Sequence, residues 1–431
     1  EPNKYIQSMN IPTKSRYTVK IVAYVSLFIS SLWGLYFMAP GGVKAIFSLC
    51  MWISFALFPY RLIKNNDFTK AGNYFLVALI TMAVFQILRS AISTDPDLYA
   101  LGNKWVTLFG NEYTALLMLP PLFTYFGTLN YGVTMLKKTT YTYLVAGLIL
   151  SVFMKFPLAM LTIFVIVFYP YVNRKYRILI IAAAAAAFIK ATTGENPSRM
   201  YLIVIGFALL SYFLVYFCKN LKLIKIFAVS VIIAPLLLFI PILNLASQEL
   251  TTFQKLQEYI MQKSNDESMA SDTRTFLYLE MAEDLTDTNS WILGKGAFSR
   301  YYSLYFDQSS IGRFGRISSE VPFLNYLLRG GLCYVIAYFG LLIYAIYLGI
   351  WKSKNKFVKS IAIIALGWYF NSFIGDITGC RFYHLAFFLL LGCCLSRKWL
   401  NSSDDEIWAA ISERSITRNT TEIYVPNSMV K

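Results

Sequence analysis

Three charged residues stand where a charge in an otherwise apolar chain has to be explained. In "TTGENPSRMYLIV", Arg199 begins an apolar run directly after Pro197 and Ser198, a helix-start signature. In "SDTRTFLYLE", Arg274 opens a second helical pattern after Ser271 and Asp272. A helix N-terminus attracts anions, and a guanidinium there adds a two-pronged donor for phosphate oxygens. The alternative for Arg199 is an interfacial anchor that snorkels to headgroups, and for Arg274 a solvated loop charge. In "SSEVPFLNYLLRGG", Glu320 precedes a proline-interrupted run that carries Asn325, Arg329 and a Gly330-Gly331 pair. The glycine pair predicts a short re-entrant helix, Val321 to Leu328, that breaks before a true span begins at Leu332. A carboxylate on a cavity there would have a raised pKa and could accept a proton from a hydroxyl. Its alternative is an ion pair with Arg329 or Arg274.

Further candidates surround these three. Lys295, Arg300, Tyr301, Arg313 and Arg316 fall in the glycine- and aromatic-rich stretch "LGKGAFSRYYSLYFDQSSIGRFGR". Such a basic, aromatic rim suits an anionic lipid-linked saccharide, with ring faces stacking on sugars. Arg89 and Glu195 lie at span ends expected on the same side. His384, the one histidine, follows Arg381 by about a helical turn; it is a second candidate for proton handling, with a structural role as the alternative. There is no Ser/His/Asp arrangement, HExxH, Walker motif or GxGxxG, and "GKGAF" is too short for a phosphate loop. The six cysteines contain no CxxC and lie in or beside apolar runs, which argues against a disulfide or metal framework.

The elements that must position these groups are apolar. Of 431 residues 57% are hydrophobic and 14% charged, with mean hydropathy +0.52, against roughly 25% charged in soluble domains. The composition therefore predicts an all-α polytopic membrane protein. About twelve spans are expected. Nine precede the long polar segment: 21–39, 45–60, 74–88, 113–129, 143–154, 157–172, 178–189, 200–217 and 226–245. Three follow it: 332–351, 361–374 and 382–395. Several fall short of the roughly 20 residues a crossing needs, so their helices must take in flanking polar residues. Nothing before Ile21 reads as a secretory h-region, so the first span is expected to stay in the chain.

Basic clusters at Lys14/Arg16/Lys20, Arg61/Lys64/Lys70, Lys137/Lys138, Arg174/Lys175/Arg177, Lys219/Lys222/Lys225, Lys352 through Lys359 and Arg397/Lys398 occupy every second connection. The positive-inside rule makes these cytoplasmic, with both termini inside. The net charge of +16 then reports orientation and contact with anionic membrane lipids, and nucleic-acid binding is excluded. The organisation is a cytoplasmic segment (1–20), nine spans (21–245), a large outer loop (246–320), a re-entrant segment with three spans (321–396) and a cytoplasmic tail (397–431). Within the loop, "LTTFQKLQEYIMQ" and "TRTFLYLEMAEDL" predict two amphipathic helices, the second with Phe276, Leu279 and Ala282 or Glu283 on its apolar face. In the tail, Ser403 and Glu406 have capping-box spacing.

The stretches "SRMYLIVIGFALL", "SDTRTFLYLEMAEDLTDTNSWILGKGAFSRYY" and "VPFLNYLLRGGLCYVIAYFGLLIY" resemble the O-antigen polymerase and ligase superfamily of bacterial membrane glycosyltransferases. The likeness covers roughly Ser198 to Tyr344. It consists of an arginine opening a span, an arginine helix leading to a GxG turn in the large periplasmic loop, and a polar residue before an Asn- and Gly-bearing span. Ligases of this group carry a His-Asn pair where this chain has Val321 and Pro322, which favours the polymerase branch. The resemblance implies a GT-C-like architecture in the inner membrane with a periplasmic site acting on undecaprenyl-diphosphate-linked oligosaccharide. It further implies Glu320 as base, Arg199 and Arg274 on the diphosphate, Asn325 and Arg329 placing Glu320, and neither metal nor cofactor. A chain-length regulator and a flippase are the expected protein partners. A ligase, or a flippase for the same lipid, stands as the alternative.

Overall fold

The computed structural model describes residues 67–93, 130–150, 159–192, 199–218, 220–246, 274–303, 315–375 and 382–412, with isolated positions between 117 and 127. About 80% of what is described is helical, and no strand occurs among the described residues. The helices are α1 (Lys70–Ile92), α2 (Asn130–Leu150), α3 (Ala159–Phe168), α4 (Arg174–Thr192), α5 (Arg199–Tyr216), α6 (Leu221–Ala246), α7 (Arg274–Asp287), α8 (Pro322–Tyr347), α9 (Lys356–Asn371), α10 (Phe382–Leu395), α11 (Arg397–Asn401) and α12 (Asp404–Ser412). A π-helical turn, Leu348–Lys352, prolongs α8.

Local chemistry sets several of these boundaries. The Thr69 hydroxyl caps α1 by accepting from the Gly72 amide at 3.3 Å, and Asn355 caps α9 through the Val358 amide at 2.9 Å. Pro322 sits in the first turn of α8, where its missing N–H costs nothing. The capping box is formed: Ser403 N–H donates to Glu406 Oε2 at 2.9 Å, and Glu406 N–H donates to Ser403 Oγ at 3.3 Å.

Among the described residues, two helical stretches are long and apolar enough to cross a membrane, α1 and residues 322–352. The first two expected spans and most of the fourth lie outside the described residues, and α10, at 14 residues, is only about 21 Å long. The exterior is inverted relative to a water-soluble bundle. On α6, Leu223, Ile226, Val229, Ile233 and Leu237 form an exposed stripe, and on α1 Tyr74, Val77, Phe85 and Leu88 do the same. α9 lies at the centre, buried on nearly every side among α5, α6, α8 and α10. A buried Ser211–Ser360 hydroxyl pair at 3.1 Å ties it to α5.

The connections sort to two ends of the bundle. At one end Arg397 N–H donates to the Asp67 carbonyl, Lys354 N–H to Leu400 O, Lys137 Nζ to Ile411 O, and Lys356 stands over the Tyr216 ring. These are connections grouped together by their basic clusters. At the other end lie Arg89, the 288–303 turn region, residues 315–333 and the 371–375 corner.

At that second end α8 is broken, as the glycine pair predicts. Gly331 has φ 64° and ψ −170°, a backbone conformation essentially confined to glycine. The break frees main-chain groups that the 291–295 turn takes up: Leu332 N–H donates to Trp291 O at 2.8 Å, Cys333 N–H to Ile292 O at 3.2 Å, and Lys295 N–H to Leu328 O at 2.7 Å. Gly294, at φ 66°, approaches so closely that a Cβ there would lie 2.6 Å from the Arg329 carbonyl carbon. A Cβ on Gly331 would collide with Ile292 O and Gly294 N. Gly331→Ala should therefore lower stability by about 2–5 kcal/mol, combining backbone strain with overpacking. Gly206→Ala, on α5 with nothing within 4 Å of the added carbon, should be neutral or mildly stabilising. Thermal unfolding of the purified protein in micelles compares the two.

Candidate functional site

The broken-helix end gathers most of the candidate residues, beginning with the segment that leads into α8. Asn325, fully buried, grips Ser319 from both sides: its Oδ1 accepts from Ser319 N–H at 2.8 Å and its Nδ2 donates to Ser319 O at 2.7 Å. Arg329, one turn on and 0% exposed, donates to Asn325 O at 3.1 Å, to Asn325 Oδ1 at 3.2 Å and to Ile317 O at 2.6 Å. Both residues were expected to touch substrate and to place Glu320. Both bind main-chain groups of residues 317–319 and each other, and so hold the strip of backbone leading to Glu320. The reason is burial: a guanidinium this deep has to spend its donors on nearby carbonyls.

Glu320 itself stays half-exposed at the lip. Its ion-pair partner is Arg316, with Arg316 Nη2 3.9 Å from Glu320 Oε1; of the pairings weighed from the sequence, the Arg274 side chain lies outside the described residues. Arg316 is in turn fixed by an antiparallel bridge to Tyr301, each N–H donating to the other's carbonyl at 3.0 and 2.8 Å.

Tyr301 is buried, and burial pushes its phenol up to about 12; the Glu280 carboxylate acts in the same direction and Arg316 against it. Glu280 was missed in the sequence. It is 4% exposed and its Oε2 accepts from Ser303 Oγ at 2.7 Å. The α7 helix forms where expected, but its buried face is Leu277, Met281 and Leu285 with Leu279 and Glu280, while Glu283 is exposed. Apolar residues run nearly all round "TFLYLEMA", so the choice of face was ambiguous. The four-residue spacing of Leu277, Met281 and Leu285 was the available signal, and it carries Glu280 inward.

Other expected ligand-binding groups have protein partners. Lys295 Nζ pairs with Asp284 Oδ2 at 2.9 Å and Oδ1 at 3.1 Å. Arg300 is buried, with its guanidinium 6.0 Å from the Phe298 ring centre. Arg89 donates to Gly294 O at 2.6 Å and Leu293 O at 3.4 Å. His384 is buried between Trp368, whose ring it meets edge-on at 5.3 Å, and Tyr383 at 4.4 Å, a packing environment that matches its structural alternative.

Arg199 and Arg274 are the first residues of α5 and α7, as their sequence context predicts. One turn into α7, Tyr278 donates to Phe373 O at 2.7 Å and stacks on Phe323, and Phe323 N–H donates to Ser372 O. The start of α7, the start of α8 and the end of α9 thus meet within one turn of Arg274 and Glu320. Arg313 and Glu195 lie outside the described residues, and no group of three or more metal-ligating side chains occurs among those described.

No family model matches this chain, and no similar curated protein or solved structure was found.

Two outcomes follow from this geometry. Asn325→Leu strands both Ser319 main-chain groups and one Arg329 contact, so unfolding should become easier by about 2–5 kcal/mol, against little change for Glu320→Gln at its half-exposed position. For Tyr301 the sign is set by linkage: between about pH 10 and 12 the unfolded chain has lost a phenolic proton that the folded chain keeps. Stability present below pH 10 is then lost at roughly 1.4 kcal/mol per pH unit. Tyr301→Phe should remove that increment, so between about pH 10 and 12 the parent should lose stability relative to the variant; a stability difference independent of pH across that range would overturn the raised phenol.

Proposed function

We propose that this chain is a multi-span membrane glycosyltransferase of GT-C-like architecture that joins undecaprenyl-diphosphate-linked oligosaccharide repeat units into O-antigen or a similar surface polysaccharide. The observation that carries the reading is the interlock of the resembling stretches. The arginine-led helix α7 ends in the "LGKG" turn, and that turn is seated in the Gly331 break of the Asn- and Gly-bearing helix α8. Sequence stretches far apart in the chain therefore build one end of the bundle, and Glu320 stands half-exposed beside it.

In this reading the site faces the periplasm, where no nucleotide supplies energy and the donor must arrive already activated as a lipid diphosphate. A hydroxyl of the incoming repeat unit attacks the anomeric carbon of the donor chain. The C–O bond to the diphosphate breaks, the hydroxyl proton passes to the Glu320 carboxylate, and the lipid diphosphate leaves carrying the electron pair. Arg199 and Arg274 offset the charge growing on the leaving diphosphate, a preorganised contribution that can reach several kcal/mol. Asn325 and Arg329 contribute by fixing residues 317–319, and Arg316 by holding the Glu320 carboxylate.

Replacing the chromosomal gene in the source bacterium by Glu320→Gln, Arg199→Ala or Arg274→Ala should erase the polysaccharide ladder on a gel. One repeat unit should remain on lipid A-core, and lipid-linked single units should accumulate outside the inner membrane. The expected fall in rate for Glu320→Gln is about 10²–10⁴-fold. Loss of every unit from the core would point instead to a ligase or flippase, and accumulation of substrate inside the cell would overturn the polymerase reading.

A further inference from the structure

The turn that fills the α8 break carries its own chemical contradiction. Ile292 and Leu293 are 67% and 40% exposed, yet the main chain beneath them is treated as though water were absent. Four consecutive carbonyls have donors: Trp291 O from Leu332 N–H, Ile292 O from Cys333 N–H, Leu293 O from Gln86 Nε2 and Arg89, and Gly294 O from Arg89. A turn lying in water can leave carbonyls to solvent, whereas irregular backbone beside hydrocarbon must be satisfied by protein.

The neighbours continue the apolar surface. Leu88 and Ile92 flank Arg89 on α1 and are exposed, as are Leu332 and Ile336 immediately after the break. We propose that the 291–294 turn dips into the acyl-chain region of the bilayer leaflet at the broken-helix end, with Ile292 and Leu293 inserted as a wedge between α1 and α8. This rests on the reading that α1 and α8 cross a bilayer.

The insertion is shallow. Asp287, Thr288 and Asn289, just before the turn, are exposed and polar, and the Asp284–Lys295 pair is partly exposed, so these groups stay at headgroup level. Trp291, half-buried with its indole N–H donating to Thr286 Oγ1 at 3.0 Å, sits where interfacial aromatics collect. Arg89, exposed on α1, donates to the Leu293 and Gly294 carbonyls, so its charge is met by main-chain dipoles at the shallow edge of the wedge. The wedge lies at the one place where α8 is interrupted, so lipid contact and the packing around Gly331 share a set of main-chain bonds.

The test uses the full chain reconstituted into vesicles of phosphatidylethanolamine and phosphatidylglycerol. A ketone-bearing unnatural residue, placed singly at positions 292, 293, 288 and 85, accepts a nitroxide without disturbing the native cysteines. Power saturation is measured with oxygen, which partitions into lipid, and with a nickel chelate, which stays in water. Labels at 292 and 293 should resemble that at 85, open to oxygen and closed to nickel, with a nickel accessibility several-fold below that at 288. Nickel access at 292 and 293 with none at 85 would overturn the wedge and leave the membrane reading standing. Nickel access at 85 as well would overturn both. Shielding of 292 and 293 from both reagents would mean protein covers the turn, which also overturns the proposal.

Discussion

A broken helix in an apolar bundle has to find partners for the main-chain groups it releases, and that requirement organises one end of this protein. Each unmet group would cost on the order of 1–3 kcal/mol. Gly331 opens α8, and the freed Leu328 carbonyl and the Leu332 and Cys333 amides all find partners in one turn, 291–295. The two segments approach closely enough that Gly294 and Gly331 admit no side-chain carbon. Position and partner are fixed together, which makes the turn part of the core of this end and not an appended loop.

From this lock the remaining polar structure fans out in two directions. Toward α1, Gln86 and Arg89 reach the turn carbonyls, fastening the bundle's long exposed helix to the break. Toward residues 315–320, Arg329 and Asn325, in the last turns before the break, hold Ile317 and Ser319. Beyond them the Tyr301–Arg316 bridge, buried Glu280 and half-exposed Glu320 alternate in charge across a small polar region. An alternating arrangement of this kind lets carboxylates approach the apolar core, since each faces a donor or cation rather than another anion. The backbone that carries Glu320 is thus held in place by α8.

How much of this was legible depended on whether a residue's neighbours in sequence were also its neighbours in space. The helix starts at Arg199 and Arg274, the capping box at Ser403 and Glu406, and the break at Gly331 are local chemistry, and each was readable from a few residues. The grouping of the basic connections around Lys137, Lys354 and Arg397 at one end was also readable from their lysine and arginine clusters. Partner choice was not. Arg329 and Glu320 look like a pair when only their separation is considered, but Arg329 is carried inward by α8 while Glu320 remains at the lip. On α7 Leu279 is buried as expected, but Leu277, Met281 and Leu285 share the buried face, for a related reason: in a helix apolar on most sides, periodicity ranks faces weakly, and packing decides. Glu280 was hidden by that ambiguity.

The same distinction bears on which residues can carry chemistry. Lys295, Arg300 and Arg316 looked equivalent as basic rim residues and Arg329 was read beside Glu320, yet the four occupy different energetic positions. Arg329 is bound to main-chain carbonyls, Lys295 is held by a two-oxygen carboxylate contact, and Arg300 lies against an aromatic ring. Drawing any of these onto a diphosphate would first break a contact inside the protein, and for the buried guanidinium of Arg329 the loss would fall on the lock itself. Arg316, partly exposed, faces the half-exposed Glu320 carboxylate at 3.9 Å and acts on the Tyr301 phenol behind it. Of these four, Arg316 is the one whose carboxylate partner stands half-exposed at the lip, so the polar region opens outward through this pair while its other cations are tied down within the protein.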